Sequence, residues 1–368
     1  MDKKWSEVLT IVSGKNQKNV ADKQGKYPIY GSGGIMGYAS DYLCEAGTTI
    51  VGRKGTINKP IFVNQRFWNV DTAFGITPGE QLNPKYLYYF CQYFNFTALD
   101  KSTTIPSLAK RDLLAIEMPV PSLAEQQRIV ARIEELFSQL DDAEATLQKT
   151  KAQLAVYSQA VLHSVFTTAN ACSKYTIAEI CDSIFDCPHS TPKWVSKGRL
   201  CLRTTNFRRG YLDLSVPNYV SEETFNTRNR RLVPMPGDVL YSREGAILGI
   251  ACIIPQDTYV CLGQRMMLLR PGNKVMNKYL MYYLNSPEVT AFVVSKTGGS
   301  ASPHVNVGDI KGFRIPIPNL EKQALMINEI ESRLSVCESI EQTVDTALQQ
   351  VSALRQSILK QAFGGPYD

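Results

Sequence analysis

MPVPSLAEQQRIVARIEELFSQLDDAEATLQKTKAQLAVYSQAVLHSVF, Met118 to Phe166, has a second copy in IPIPNLEKQALMINEIESRLSVCESIEQTVDTALQQVSALRQSILKQAF, Ile315 to Phe363. The two align without a gap. Pro119, Pro121, Leu123, Gln126, Ile133, Glu134, Ser138, Glu144, Thr146, Gln153, Gln159, Leu162 and Phe166 recur from Pro316 to Phe363 at one constant offset. A repeat that long means two copies of a whole module, not a solenoid. Ile129, Ile133, Leu136, Leu140, Ala143, Leu147, Leu154, Tyr157 and Val161 follow the alternating three and four spacing of a coiled-coil seam, broken only at Thr150. The second copy keeps Ile330, Leu334, Cys337, Ile340, Val344, Ala347, Val351, Leu354 and Ile358 in equivalent places. Two stripes of this kind are expected to bury against each other. Pro121 and Pro318 suit the approach to a helix, and about 44 residues at 1.5 Å each give an arm of roughly 65 Å.

Working outward, the parts between the helices are duplicated too. Gly47, Arg53 and Gly55 return as Gly237, Arg243 and Gly245; Lys85-Tyr86-Leu87 returns as Lys278-Tyr279-Leu280; Pro106 and Asp112 return as Pro303 and Asp309. The expected order is module (1–121), helix (122–170), module (171–318), helix (319–368). Divergence is greatest at the front of each module. The first has YPIYGSGGIMGY, Tyr27 to Tyr38, whereas the second has FDCPHSTPKW and LRTTNFRRGYLDL. Frames kept alike with faces kept different suit two distinct recognition tasks.

The net charge of +6 is unevenly spread. The modules carry +4 and +7 and the helices −2 and −3, the distribution of two polyanion-facing heads on a slightly acidic frame. Hydrophobic residues make up 44% and charged residues 20%, enough for two or three cored units. No apolar run reaches the length of a membrane span and MDKKWSEVLT lacks the apolar region of a signal peptide, so no membrane association is expected. Nine cysteines without a C-x-x-C pair fit reduced thiols in the cytoplasm.

Motifs for chemistry are missing. There is no Walker A sequence, no methyl-donor site and no [DN]-P-P-[YF] loop; Gly364-Gly365-Pro366-Tyr367 lacks a preceding strand. The histidines, His163, His189 and His304, sit in no nucleophile elbow. Cys181, Cys187, His189 and Cys201 fit none of the strong zinc spacings, and a turn with buried thiols is the expected reading. A non-catalytic chain is expected.

At the duplicated MPVPSLAEQQRI and IPIPNLEKQALM segments, at LRQSILKQAF, PGDVLYSREG and DCPHSTPKW, the chain resembles the DNA-specificity subunit of type I restriction-modification systems over essentially its full length. Lys322 departs from the acidic residue at the equivalent Glu125, and the sequence stops soon after Phe363. The resemblance implies a mixed α/β fold with two tandem target-recognition domains held apart by an antiparallel coiled coil of conserved helices, in a pseudo-twofold arrangement. It implies double-stranded DNA with a split target and two modification (methyltransferase) subunits as partners, with restriction subunits where restriction occurs. No cofactor is then expected on this chain: S-adenosylmethionine belongs to the modification subunits, ATP and magnesium to the restriction subunit. Two other readings are a coiled-coil scaffold indifferent to DNA and a stand-alone DNA methyltransferase.

Loop position and residue type nominate DNA-facing side chains, because cations hold phosphates while Arg, Asn and Gln read base edges. In the first module these are Tyr30, Ser32, Arg53, Lys54, Thr103, Lys110 and Arg111. In the second they are His189, Thr191, Lys193, Asn206, Arg208, Arg209, Arg243, Ser302 and His304. Arg53 and Arg243, present in both modules, could equally hold a turn.

Overall fold

The computed structural model of the protein describes residues 2–245, 247–297 and 303–364. Two compact units divide the chain within both long helices: Met1–Gln148 with Asp345–Asp368, and Lys149–Val344. The long helices are Leu123–Thr167 and Leu320–Phe363. Each unit therefore holds one module and a part of each helix.

In the first unit an antiparallel sheet runs in the order Leu9–Ser13, Ala73–Pro78, Thr48–Gly52, Ile61–Val63. The second repeats it as Cys181–Asp186, Met266–Pro271, Val239–Ser242, Ala251–Ile253. The central strands Thr48–Gly52 and Val239–Ser242 are buried along their whole length, because their sheets are covered on both faces. Beside each lies a smaller sheet with one parallel pair, Tyr27–Gly31 with Trp68–Asn69 and Arg199–Leu202 with Cys261–Leu262. Short antiparallel clamps, Asp2–Lys4 on Glu117–Pro119 and Lys174–Thr176 on Arg314–Pro316, close each module just before its long helix.

One side chain in each unit locks module to helix. Gln126 is fully buried; its Oε1 accepts from the Asn83 N–H at 2.7 Å, and its Nε2 donates to the carbonyls of Gln81 (2.8 Å) and Pro121 (2.9 Å). Gln323, also fully buried, repeats the pattern with the Met276 N–H (2.8 Å), Lys274 O (2.9 Å) and Pro318 O (2.8 Å). Only an amide supplies an acceptor and two donors at one site. Gln126→Leu leaves three buried backbone groups unpaired and is expected to cost about 2–3 kcal/mol, since each such group costs roughly 1–3 and neighbours relax. Chemical denaturation of the variant beside Gln323→Leu checks this; a cost below about 0.5 kcal/mol in both would deny the locking role.

The helix pairing is antiparallel within each unit. In the second, Lys151 meets Glu341, Tyr157 meets Arg333, and Thr168 meets Lys322, one number falling as the other rises. In the first, Asp141 meets Arg355. Ile133 and Val161 of the first seam are buried, as are Ile330, Cys337, Val344 and Val351 of the second. Tyr157, Ile340 and Leu354 depart from the expectation of a closed seam, being 45%, 41% and 51% exposed. The reason is geometric: one partner helix covers only one side of a knob, and these positions have no further layer over them.

Candidate nucleic-acid interface

Both modules build their candidate surface on the same turn. After Thr48–Gly52 the chain bends through Arg53, whose N–H donates to Thr72 O at 2.8 Å, and Gly55, whose N–H donates to Pro106 O at 2.9 Å. In the second module Arg243 donates to Arg265 O and Gly245 to Pro303 O, each at 3.0 Å. Gly55 and Gly245 have φ of 81° and 83°, the left-handed region in which a side chain strains the backbone. Leu108 and Val305 close the turns by donating to Arg53 O and Arg243 O, both at 2.9 Å.

The two arginines then part company. The Arg53 guanidinium lies 5.8 Å from the Phe74 ring and 3.5 Å from Asp71 O, and it has no carboxylate partner among the described residues. Arg53, Lys54, Ser107 and Lys110 line one cleft, in which the Lys110 ammonium donates to Ile11 O at 2.7 Å. Three cations thus converge, and none of them has an acidic partner among the described residues. Arg243 is 6% exposed: its Nε lies 2.9 Å from Asp186 Oδ1 and its Nη1 2.8 Å from Glu244 Oε1. Two carboxylates hold it inside the turn.

The remaining candidates of the first module sort by exposure. Tyr30 is a core residue, its ring edge-on to Phe67 at 5.5 Å; burial, helped by Tyr38, raises its phenol pKa. Ser32 stands beside the Gly55 turn, its Oγ 3.6 Å from where a Cβ would project. Thr103 and Lys54 are exposed, and Arg111 is exposed with Asp112 at 3.4 Å.

In the second module His189 and Thr191 are exposed on one loop. Gln264 holds that loop, donating to His189 O and lying 3.2 Å from the Thr191 hydroxyl, while Arg228 reaches Ser190 O from beneath. The His189 ring contacts Asp186 at 3.0 Å. Lys193 is exposed, next to Trp194, over which the Arg203 guanidinium lies at 5.4 Å. Asn206 is buried and shapes its own loop, its Oδ1 accepting from the Arg203 N–H at 2.9 Å and its Nδ2 donating to Asp213 O at 3.0 Å. Arg208 pairs with Asp213 at 2.8 Å and stays 43% exposed. The Ser215 hydroxyl and N–H, with Arg208 behind them, hold the Asp213 carboxyl below the usual range. Arg209 is an exposed residue whose guanidinium donates to Asn285 O at 3.1 Å, and partial loss of water there lowers its pKa. His304 is exposed opposite Glu244, and Ser302 lies outside the described residues.

Among the described residues no three His, Cys, Asp or Glu side chains stand close enough to share a metal ion. Cys187 is buried with its Sγ 3.3 Å from the Met266 N–H, and Cys201 is buried in register with Cys261. No helix among the described residues is long and apolar enough to cross a membrane.

Residue type alone did not single out Ile35, Met36 and Tyr38, which are 57%, 63% and 48% exposed on the hairpin after Ser32. It also passed over Gln264 and Arg228. The apolar hairpin was visible as large residues crowded among glycines; the two loop-holding side chains carry no local signal, because their partners are distant in sequence.

A family model for the type I restriction modification DNA specificity domain matches residues 1–153 and matches again over 177–350. The chain belongs to this family. The type I restriction enzyme EcoBI specificity subunit of Escherichia coli is 25% identical over 86% of this chain and 73% of its own length. The StySPI specificity subunit of Salmonella potsdam is 27% identical over 79% and 67%. Among solved structures, one titled for complex assembly and conformational transition of the type I R-M system superposes with a TM-score of 0.72 at 18% identity, covering 98% of this chain and 97% of that one. The HsdS subunit from Thermoanaerobacter tengcongensis gives 0.51 at 18%, over 99% and 96%. The family's function is recognition of the DNA target. A scaffold indifferent to DNA and a stand-alone methyltransferase are not favoured.

Proposed function

We propose that each module reads one half of a split duplex target and that the paired helices dock two methyltransferase subunits, with restriction subunits joining the assembly where restriction occurs. The chain itself performs no catalysis in this reading. S-adenosylmethionine is carried by the methyltransferase subunits, ATP and magnesium by the restriction subunits, and the assembly works in the cytoplasm. The observation that carries the reading is one frame with two faces: the same glycine-closed turn presents Arg53 without an acidic partner among the described residues and withdraws Arg243 between two carboxylates. A shared frame fixes where DNA lies, and unlike faces let each half be read differently.

Within each face, charge and exposure divide the labour. Arg53, Lys54 and Lys110 form the phosphate-binding cleft of the first half; Ser32, Thr103 and Arg111 stand at its exposed margin. In the second, His189, Thr191, Lys193, Arg209 and His304 are exposed and Arg208 is half-buried, whereas Asn206 and Arg243 shape the loops beneath, as Tyr30 does in the first. Phosphate contacts give affinity without sequence information. Arg53→Ala and Lys110→Ala are therefore expected to weaken binding alike on all sequences and to reduce the slope of log affinity against log salt by about one each. Arg208→Ala is expected to relax the second half-site alone by roughly 1–3 kcal/mol, the value of one bidentate base contact. Methylation motifs mapped for parent and variants test the proposal. A single undivided motif would sink the two-half reading, and uniform weakening by Arg208→Ala would make that residue a phosphate contact.

A further inference from the structure

Each unit has a groove between its module and its helix pair, and the two grooves are related by the internal repeat. The first is lined by Tyr89, Gln92, Phe137, Gln356 and Leu359, the second by their counterparts Tyr282, Asn285, Leu334, Gln159 and Leu162. Their volumes differ, about 440 Å³ against about 900 Å³. The first is lined in part by the chain's own Arg355. Its guanidinium lies 5.2 Å from the Phe137 ring and pairs with Asp141 and, at 3.2 Å, with Glu144.

In the second groove the counterparts of Asp141 and Glu144 are Glu338 and Glu341, so both carboxylates are kept. The counterpart of Arg355 is Ser158, whose hydroxyl turns back to Leu154 O at 2.9 Å, and the counterpart of Phe137 is the smaller Leu334. Glu338 has neither a hydrogen bond nor an ion pair among the described residues, though its charge helps raise the pKa of the Tyr282 phenol behind burial and Glu331. Lys151 reaches Glu341 only at 3.7 Å, and Arg209 on the far wall is engaged with Asn285 O. The acid pair of a guanidinium site is thus present with Tyr211 and Tyr282 lining the same groove, Leu334 replaces the ring that Arg355 stacks on, and no arginine pairs with the two carboxylates among the described residues.

We propose that this groove is the receptor for an arginine side chain presented by a protein partner, in the place that Arg355 takes in the other unit. A planar guanidinium suits two carboxylates set one helical turn apart and stacks on an aromatic face, which an ammonium does less well. The assignment rests on the reading that the paired helices dock a protein partner, and it names the chemistry by which one half of that surface grips it.

Two measurements on the full chain test it. Saturation-transfer NMR with N-acetyl-argininamide is expected to show binding in the low-millimolar range, with N-acetyl-citrullinamide, equal in shape but uncharged, at least tenfold weaker. Glu338→Gln and Ser158→Arg, the second placing an arginine of the chain itself beside the acid pair, should each weaken the arginine probe about fivefold or more, while Asp141→Asn leaves it unchanged. Equal binding of citrulline, no binding of arginine, or full binding by Ser158→Arg would overturn the proposal. In the second measurement Ser158→Arg should lose about tenfold in affinity for the methyltransferase subunit with its half-site preferences intact. Unchanged affinity would remove the partner's arginine from the groove. Failure of the unaltered chain to assemble would instead count against the docking reading itself.

Discussion

Ile330→Asp is expected to lower the stability of the second unit by on the order of 3–5 kcal/mol, the cost of leaving an uncompensated charge in the interior. Ile330 is fully buried in one cluster with Leu162, Val165, Phe166, Met326 and Ile327, so the carboxylate meets no water and no cation. The seam pattern alone ranks Leu147 as an equal target, but Leu147 is only half-buried and an aspartate there can turn to solvent. Leu147→Asp should therefore cost much less, roughly 1 kcal/mol. Urea denaturation of both variants, read with the methylation activity of the assembled complex, checks the contrast. Equal costs at the two positions would mean that the helices are held by something other than their buried ends.

Phe166→Ala ranks next, at about 3–5 kcal/mol, the usual loss for a core phenylalanine together with its cavity. Phe166 is 2% exposed and edge-on to Tyr279 at 5.3 Å and to Tyr283 at 5.0 Å. It pins the end of the first long helix to Asn277–Leu284 of the second module. Its counterpart Phe363 packs on Tyr86, Phe90 and Tyr93 at 5.1, 5.6 and 5.8 Å and pins the second long helix to Pro84–Tyr93 of the first. Phe363→Ala should cost less than Phe166→Ala. Phe363 lies in the last turn of its helix, which frays locally instead of opening the whole unit. Hydrogen exchange should then lose protection in Asn277–Leu284 for the first variant and in Pro84–Tyr93 for the second. Loss of protection in both segments from either change would contradict two separately pinned units.

The frame of the protein was legible in the sequence because duplication states everything twice. Gln126 and Gln323, Phe166 and Phe363, Gly55 and Gly245 are each a pair of equal residues in equal places, and each pair does the same work in both units. Helical spacing fixed the long helices for a related reason: a repeat sustained over about 40 residues has no other regular structure to satisfy it. What tertiary structure alone decided is the environment of each matched side chain. Arg53 and Arg243 are the same residue at the same turn, but only the second has Asp186 brought against it from a strand more than 50 residues away. The same holds for the two grooves: four carboxylates match by position, but one pair encloses an arginine of the opposite helix and the other faces Ser158. Side-chain chemistry is local, whereas burial and charge compensation are set by which distant segments pack together; the sequence therefore determined the frame of this protein, and packing determined its faces.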